Sequence, residues 1–75
     1  MSAELMSTRE CCERVGLSRQ ELWRRRRDGR FPEPIRLGAR RVGFRREEIE
    51  AWIATRISER DHRVAERNAR KDELK

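Results

Sequence analysis

Two runs of the same form, Ser7-Thr8-Arg9-Glu10 and Ser18-Arg19-Gln20-Glu21, stand on either side of Gly16. In each, a serine is followed three residues later by a glutamate. That spacing lets the hydroxyl accept from the glutamate's backbone N–H while the carboxylate reaches back to the serine. Each run therefore predicts the start of a helix. An apolar residue precedes each serine: Met6, spaced to pack on Cys11, and Leu17, spaced to pack on Leu22. Cys11, Cys12 and Val15 make the apolar stripe of the first helix, and Gly16 stops it. Asp28-Gly29 ends the second. Two helices joined by so short a turn predict a helix-turn-helix. The first helix spans about two turns, so it needs tertiary packing to persist.

The stretch "FPEPIRLGARRVGFR" that follows contains two prolines, which exclude helix and favour extended chain. Ile35 and Leu37 alternate with Arg36, and Val42 and Phe44 alternate with Gly43 and Arg45. Two period-two runs separated by "GARR" read as a β-hairpin, with Ile35, Leu37, Val42 and Phe44 facing the core. A third helix starts near Arg46-Glu47. Glu47, Glu48 and Glu50 suit the positive end of its dipole. Ile49, Trp52, Ile53 and Ile57 recur at helical spacing, with Trp52 as a core anchor. Residues 1–57 are thus expected to form one domain, and residues 58–75 a charged tail. Val64, Ala65 and Leu74 are the tail's few apolar residues, and the pattern leaves open whether it extends the third helix or frays.

The 75 residues carry a formal net charge of +6, with 45% charged and 35% hydrophobic side chains. The excess is local. Between Arg19 and Arg46 stand eleven arginines against three acids, an excess of +8, whereas residues 58–75 hold six basic and five acidic residues. Clustered arginine in so basic a chain is an electrostatic footprint of nucleic-acid binding, with a solvated basic surface or an anionic lipid partner as the alternatives on charge alone. A domain this small buries a limited core and is only marginally stable alone. Its glycines are isolated, so there is no phosphate loop. The adjacent Cys11 and Cys12 with a lone His62 do not supply the ligands of a metal site, and the cysteines read as core packing. No enzyme, cofactor or small-molecule substrate is expected. No apolar run approaches the length of a membrane span, and the N-terminus lacks a signal-peptide pattern, so a cytoplasmic protein with no membrane partner is expected.

Helical geometry divides "WRRRR". With Leu22 pointing inward and about 100° per residue, Gln20, Arg24 and Arg27 fall roughly 140–160° away and form the outward face. Arg25 and Arg26 lie only about 40–60° from Leu22. They read as rim residues, their stems on apolar surface, pairing with Glu10, Glu13 or acids of the third helix. Gln can pair with adenine and Arg with guanine in a major groove. Ser18 and Arg19 stand at the helix entrance, where a phosphate can be held. Trp23, about 100° from Leu22, is open between core edge and DNA backbone. Arg40 and Arg41 at the hairpin tip, with Arg36 behind them, suit phosphates or a narrow minor groove. Duplex DNA is favoured over RNA, since no paired aromatics lie on a sheet for base stacking.

Several spaced motifs, covering about Met6 to Arg56, carry a resemblance. They are Gly16-Leu17-Ser18-Arg19, Gly29 with Phe31-Pro32 and Pro34, Leu37-Gly38, Val42-Gly43-Phe44-Arg45, and Glu48-Ile49 with Ala51-Trp52-Ile53. The chain resembles the AlpA family of small phage- and prophage-associated DNA-binding regulators, related to excisionases and to the DNA-binding domain of MerR-type regulators. The resemblance implies a winged helix-turn-helix: mainly α with a small β-hairpin wing and a third helix. It places Arg19, Gln20, Trp23, Arg24 and Arg27 on a recognition helix, and Arg40 and Arg41 on the wing. It implies sequence-specific binding of double-stranded DNA by a transcription regulator, or DNA bending by an excision factor. A third reading makes the chain an adaptor whose tail, through Val64 and Leu74, docks a partner protein or a second copy. The chain departs from the family pattern at Arg25 and Arg26, where an aliphatic residue is usual, and at Phe44, where tryptophan is.

Overall fold

The computed structural model describes residues 4–73. The elements run β1 (Leu5–Met6), α1 (Thr8–Val15), α2 (Arg19–Arg27), β2 (Ile35–Arg36), β3 (Val42–Arg45) and α3 (Arg46–Glu73). The two serines cap their helices as the spacing requires: Ser7 accepts from the Glu10 N–H at 3.1 Å and Ser18 from the Glu21 N–H at 3.2 Å. Each hydroxyl also donates to the glutamate carboxylate, at 3.3 and 3.0 Å. α1 closes on Gly16, whose N–H donates to the Cys12 carbonyl at 2.9 Å. Gly16 and Gly29, behind the two helices, have φ of 73° and 74°, the left-handed region where a side chain is disfavoured.

Six residues form the buried cluster, and each comes from a different segment. Met6 lies on β1, Cys11 on α1, Leu22 on α2, Phe31 on the proline segment, Phe44 on β3 and Ile49 on α3. Phe44 is fully buried, with the Phe31 ring edge-on at 5.7 Å and Trp23 tilted at 6.2 Å. Trp52 packs beside them, edge to Phe31 at 5.0 Å, and its indole N–H donates to the Arg30 carbonyl at 2.9 Å. That bond ties α3 to the segment leaving α2. Arg14 grips Glu50 with two bonds of 2.9 and 2.8 Å, tying α1 to α3 at the surface.

The hairpin belongs to a three-stranded antiparallel sheet in the order β1-β3-β2. The pairing Leu5↔Arg45 and Met6↔Phe44 makes β3 central, a contact that so short a strand as β1 does not announce in its sequence. The register corrects one expectation. Ile35 pairs with Gly43 and Arg36 with Val42. Directly opposed residues share a face, and neighbours along a strand alternate. Ile35 and Leu37 therefore lie on the face away from Phe44, at 37% and 46% exposure, and do not enter the core. Leu37 instead covers Gly43: a Cβ added there would stand 2.9 Å from Leu37 Cδ1. Val42 is half-buried on the Phe44 side.

α3 continues as one helix through Glu73. Ile57, expected to extend the core stripe, is 46% exposed. From Ser58 to Arg70 every side chain except the half-buried Val64 is exposed, so this half of α3 leaves the body. Leu74 lies outside the described residues. The longest dimension reaches 60 Å against 29 and 17 Å for the others. No helix among the described residues is long and apolar enough to cross a membrane.

Truncating the residue on which two other rings and the β1 strand converge should be severe. Phe44→Ala is expected to cost about 3–5 kcal/mol, near the whole stability of a small domain. Ile35→Ala, on the exposed face, should cost under about 1 kcal/mol. Urea midpoints of the two variants check this, and equal midpoints would remove Phe44 from the centre of the core.

Candidate nucleic-acid interface

The placement of α2 follows from its cap and its single buried residue. Ser18 sets the start and Leu22 is fully buried, which leaves the opposite side facing outward. Gln20, Arg24 and Arg27 are exposed there, as their angles from Leu22 require. Gln20, Trp23, Arg24, Arg26 and Arg27 line one open concavity on this side of the helix. Arg19 is exposed at the entrance. The Ser18 hydroxyl is occupied by both halves of its capping box.

Trp23 stands at the core edge and also borders the concavity with Gln20 and Arg24. It is half-buried, packs on Phe44, and carries the Arg26 guanidinium over its ring at 5.2 Å. Arg25 and Arg26 are partly buried, whereas Arg24 and Arg27 are exposed, so the run divides as the helical angles predict. The expected partners of the inner pair are corrected. Arg26 bonds Glu33 of the proline segment at 3.0 Å, while Glu10 and Glu13 pair with Arg46 and Arg9. Glu33 lies in a segment without helical period, so its return to α2 has no signature in the spacing. Arg26 Nε is buried without a partner, a cost of placing a guanidinium where an aliphatic residue fits.

The hairpin carries a second set of cations. The Arg41 carbonyl accepts from the N–H groups of Leu37 and Gly38 at 2.8 and 3.2 Å, closing the turn with Arg40 at its tip. Arg36, Arg40 and Arg41 are all exposed. Arg36 is displaced from the other two in one respect: its pairing with Val42 puts it on the Phe44 side of the sheet.

Ion pairing separates two classes of arginine. Arg9, Arg14, Arg26, Arg45 and Arg46 each meet a carboxylate of the body. Among the described residues, Arg19, Arg24, Arg36, Arg40 and Arg41 meet none, and Arg27 reaches Asp28 only at 4.0 Å with 74% of its side chain exposed. Arg25 and Arg30, at the end of α2, are also without a carboxylate partner and border one concavity with Trp52 and Arg56. Residue spacing assigned them no such shared site, because the Asp28-Gly29 turn that brings them together is not periodic.

Residues 4–57 match the family model described as the prophage CP4-57 regulatory protein (AlpA). The chain belongs to the AlpA family. That is a family of regulatory proteins and not of enzymes. The AlpA match covers both short helices, the sheet and the packed start of α3, and it ends where α3 leaves the body. No curated protein and no solved structure matches the chain.

The thiols stand apart from the basic surface. Cys11 is fully buried and Cys12 partly so. Burial, and then the neighbouring Cys12, pushes the Cys11 thiol up from 9.0 to about 11. A protonated, enclosed thiol is packing material and a poor nucleophile. Between the two values the unfolded chain ionises while the fold keeps its proton. The stability associated with Cys11 is thus complete below pH 9.0 and falls as pH rises towards about 11. In iodoacetamide at pH 8, mass spectrometry should find Cys11 unmodified in the folded chain and alkylated after denaturation. Modification of the folded chain at the denatured rate would contradict its burial.

Proposed function

We propose that this AlpA-family chain binds duplex DNA as a winged helix-turn-helix regulator. Residues 4–57 act as the DNA-binding domain, with residues 58–75 as a charged extension. The observation that carries the reading is the division of the arginines. Those that join elements of the body, Arg14, Arg26 and Arg46, are paired to carboxylates, whereas Arg19, Arg24, Arg36, Arg40 and Arg41 stand exposed and unpaired on α2 and the hairpin. An exposed guanidinium that stabilises nothing internal keeps its donors for an external anion.

In this reading α2 is the recognition helix. Gln20, Arg24 and Arg27 point into the major groove, where bidentate pairing of Arg to guanine or Gln to adenine discriminates by about 1–3 kcal/mol per base. Arg19 and the N-terminus of α2 hold a phosphate, and Ser18 fixes the direction in which that terminus points. Trp23 serves the surface indirectly, by seating α2 on Phe44. The hairpin is the wing: Arg40 and Arg41 meet phosphates or the adjacent minor groove, with Arg36 behind them. Base contacts specify and phosphate contacts position, so the two prongs have separable consequences.

Arg24→Ala should flatten the preference at one base position by about 1–3 kcal/mol while leaving other positions unchanged. Arg41→Ala should weaken binding to every sequence by a similar factor and lower the salt slope by about 0.9. Selection of bound duplexes from a randomised site library, followed by titration at several salt concentrations, reads both. An unchanged preference profile for Arg24→Ala would end the base-reading role of α2.

A further inference from the structure

The half of α3 that leaves the body has almost no net charge, but the helix sorts its charges. Take the direction of the fully buried Ile49 as zero and advance about 100° per residue. Trp52 and Ile53, which pack against the core, fall about 60° to one side and 40° to the other. Arg56, Arg60, Arg63, Arg67 and Arg70 all fall within about 60° of the same direction, over roughly 21 Å of helix. Glu59, Asp61 and Glu66 lie about 80–120° away. The helix face that is apolar inside the body thus becomes an arginine stripe outside it.

The stripe is available. All five arginines are exposed, and among the described residues Arg63 and Arg67 meet no carboxylate. Arg56 and Arg60 bond Glu59 and Asp61, but these are surface pairs with side chains 41–64% exposed, easily exchanged for another anion. The stripe is also continuous with the body's basic surface. At the root of α3, Arg56 borders the same concavity as Arg25 and Arg30. Because it follows the direction of Ile49, the stripe faces the side of α3 on which the body lies.

We propose that the arginine stripe of α3 is a second phosphate-contacting surface, gripping duplex DNA that flanks the site read by α2 and the hairpin. This rests on the DNA reading above. Duplex DNA is the occupant the chemistry favours. A row of guanidiniums with its acids set to the sides suits a polyanion of uniform charge, and DNA presents a charge about every 1.7 Å along its axis. The stripe contains no aromatic or polar residue of other type that would select bases, so its contribution is independent of sequence.

The test compares the full-length chain with an Arg63→Ala/Arg67→Ala variant, which keeps a strong helix former at both positions. Each protein is titrated against two duplexes carrying the strongest library site, one just covering it and one extended by about 10 base pairs on each side. On the extended duplex the variant should lower the slope of log K against log salt by up to about 1.8 and lose affinity several-fold. On the short duplex the two proteins should be indistinguishable, and an Arg63→Lys/Arg67→Lys variant should retain most of the slope on both. Identical slopes on the extended duplex, or equal losses on both lengths, would overturn the proposal while leaving the DNA reading intact. A full-length chain that binds neither duplex would overturn that reading and this inference with it.

Discussion

The fold depends on the enclosure of Phe44. Its ring is reached from α2 through Leu22 and Trp23, from the proline segment through Phe31, and from β1 through the paired Met6. Six segments each give one residue to this cluster, so none has more than a single deep anchor. That economy is what a chain with 45% charged residues can sustain. It has a consequence for the surface. A helix with one fully buried residue, as α2 has in Leu22, leaves most of its circumference free for polar work. The capping boxes then carry the burden of keeping so lightly anchored a helix in place and in register.

The parts of this arrangement that were legible in the sequence are those set by short-range geometry. A capping box is a contact between residues three apart, and the left-handed residue after a helix is a property of one glycine. Both helices of the first half therefore begin and end where Ser7, Ser18, Gly16 and Asp28-Gly29 indicate. The angular division of Arg24 to Arg27 needs only the helical period and one inward residue. What was illegible is set by contacts between distant segments. The pairing of Leu5-Met6 with β3 has no local signal, and it changes a hairpin into a three-stranded sheet. The register Ile35↔Gly43 turns Ile35 and Leu37 away from the core, although their alternation with Arg36 was read correctly. Alternation identifies which residues share a face but not which face is covered.

Arg26 shows the same limit at the candidate interface. Its position beside the core follows from the angle to Leu22. Its carboxylate partner, Glu33, arrives from a proline-rich segment whose path no periodicity describes. The guanidinium is stacked on Trp23 and bonded to Glu33, so it braces the outward face from behind. These two contacts stand in place of aliphatic packing, and an unpartnered Nε remains as the cost. The outward Arg24 has no such internal employment.

Counting charges misjudges the C-terminal half of α3. Six basic and five acidic residues between positions 58 and 75 nearly cancel in a sum over sequence. A sum discards direction, and in a helix direction is set by position modulo about 3.6. Once Ile49 fixes which face of α3 is buried, every exposed arginine from Arg56 to Arg70 falls near that face, and the acids between them fall aside. The period that packs α3 onto the core is carried past the core's edge with arginine in place of isoleucine and tryptophan. A helix merely requiring solubility would be served by charges of either sign on every face. Segregation of one sign onto the continuation of the packed face is what a long, uniformly charged partner lying along that side would select.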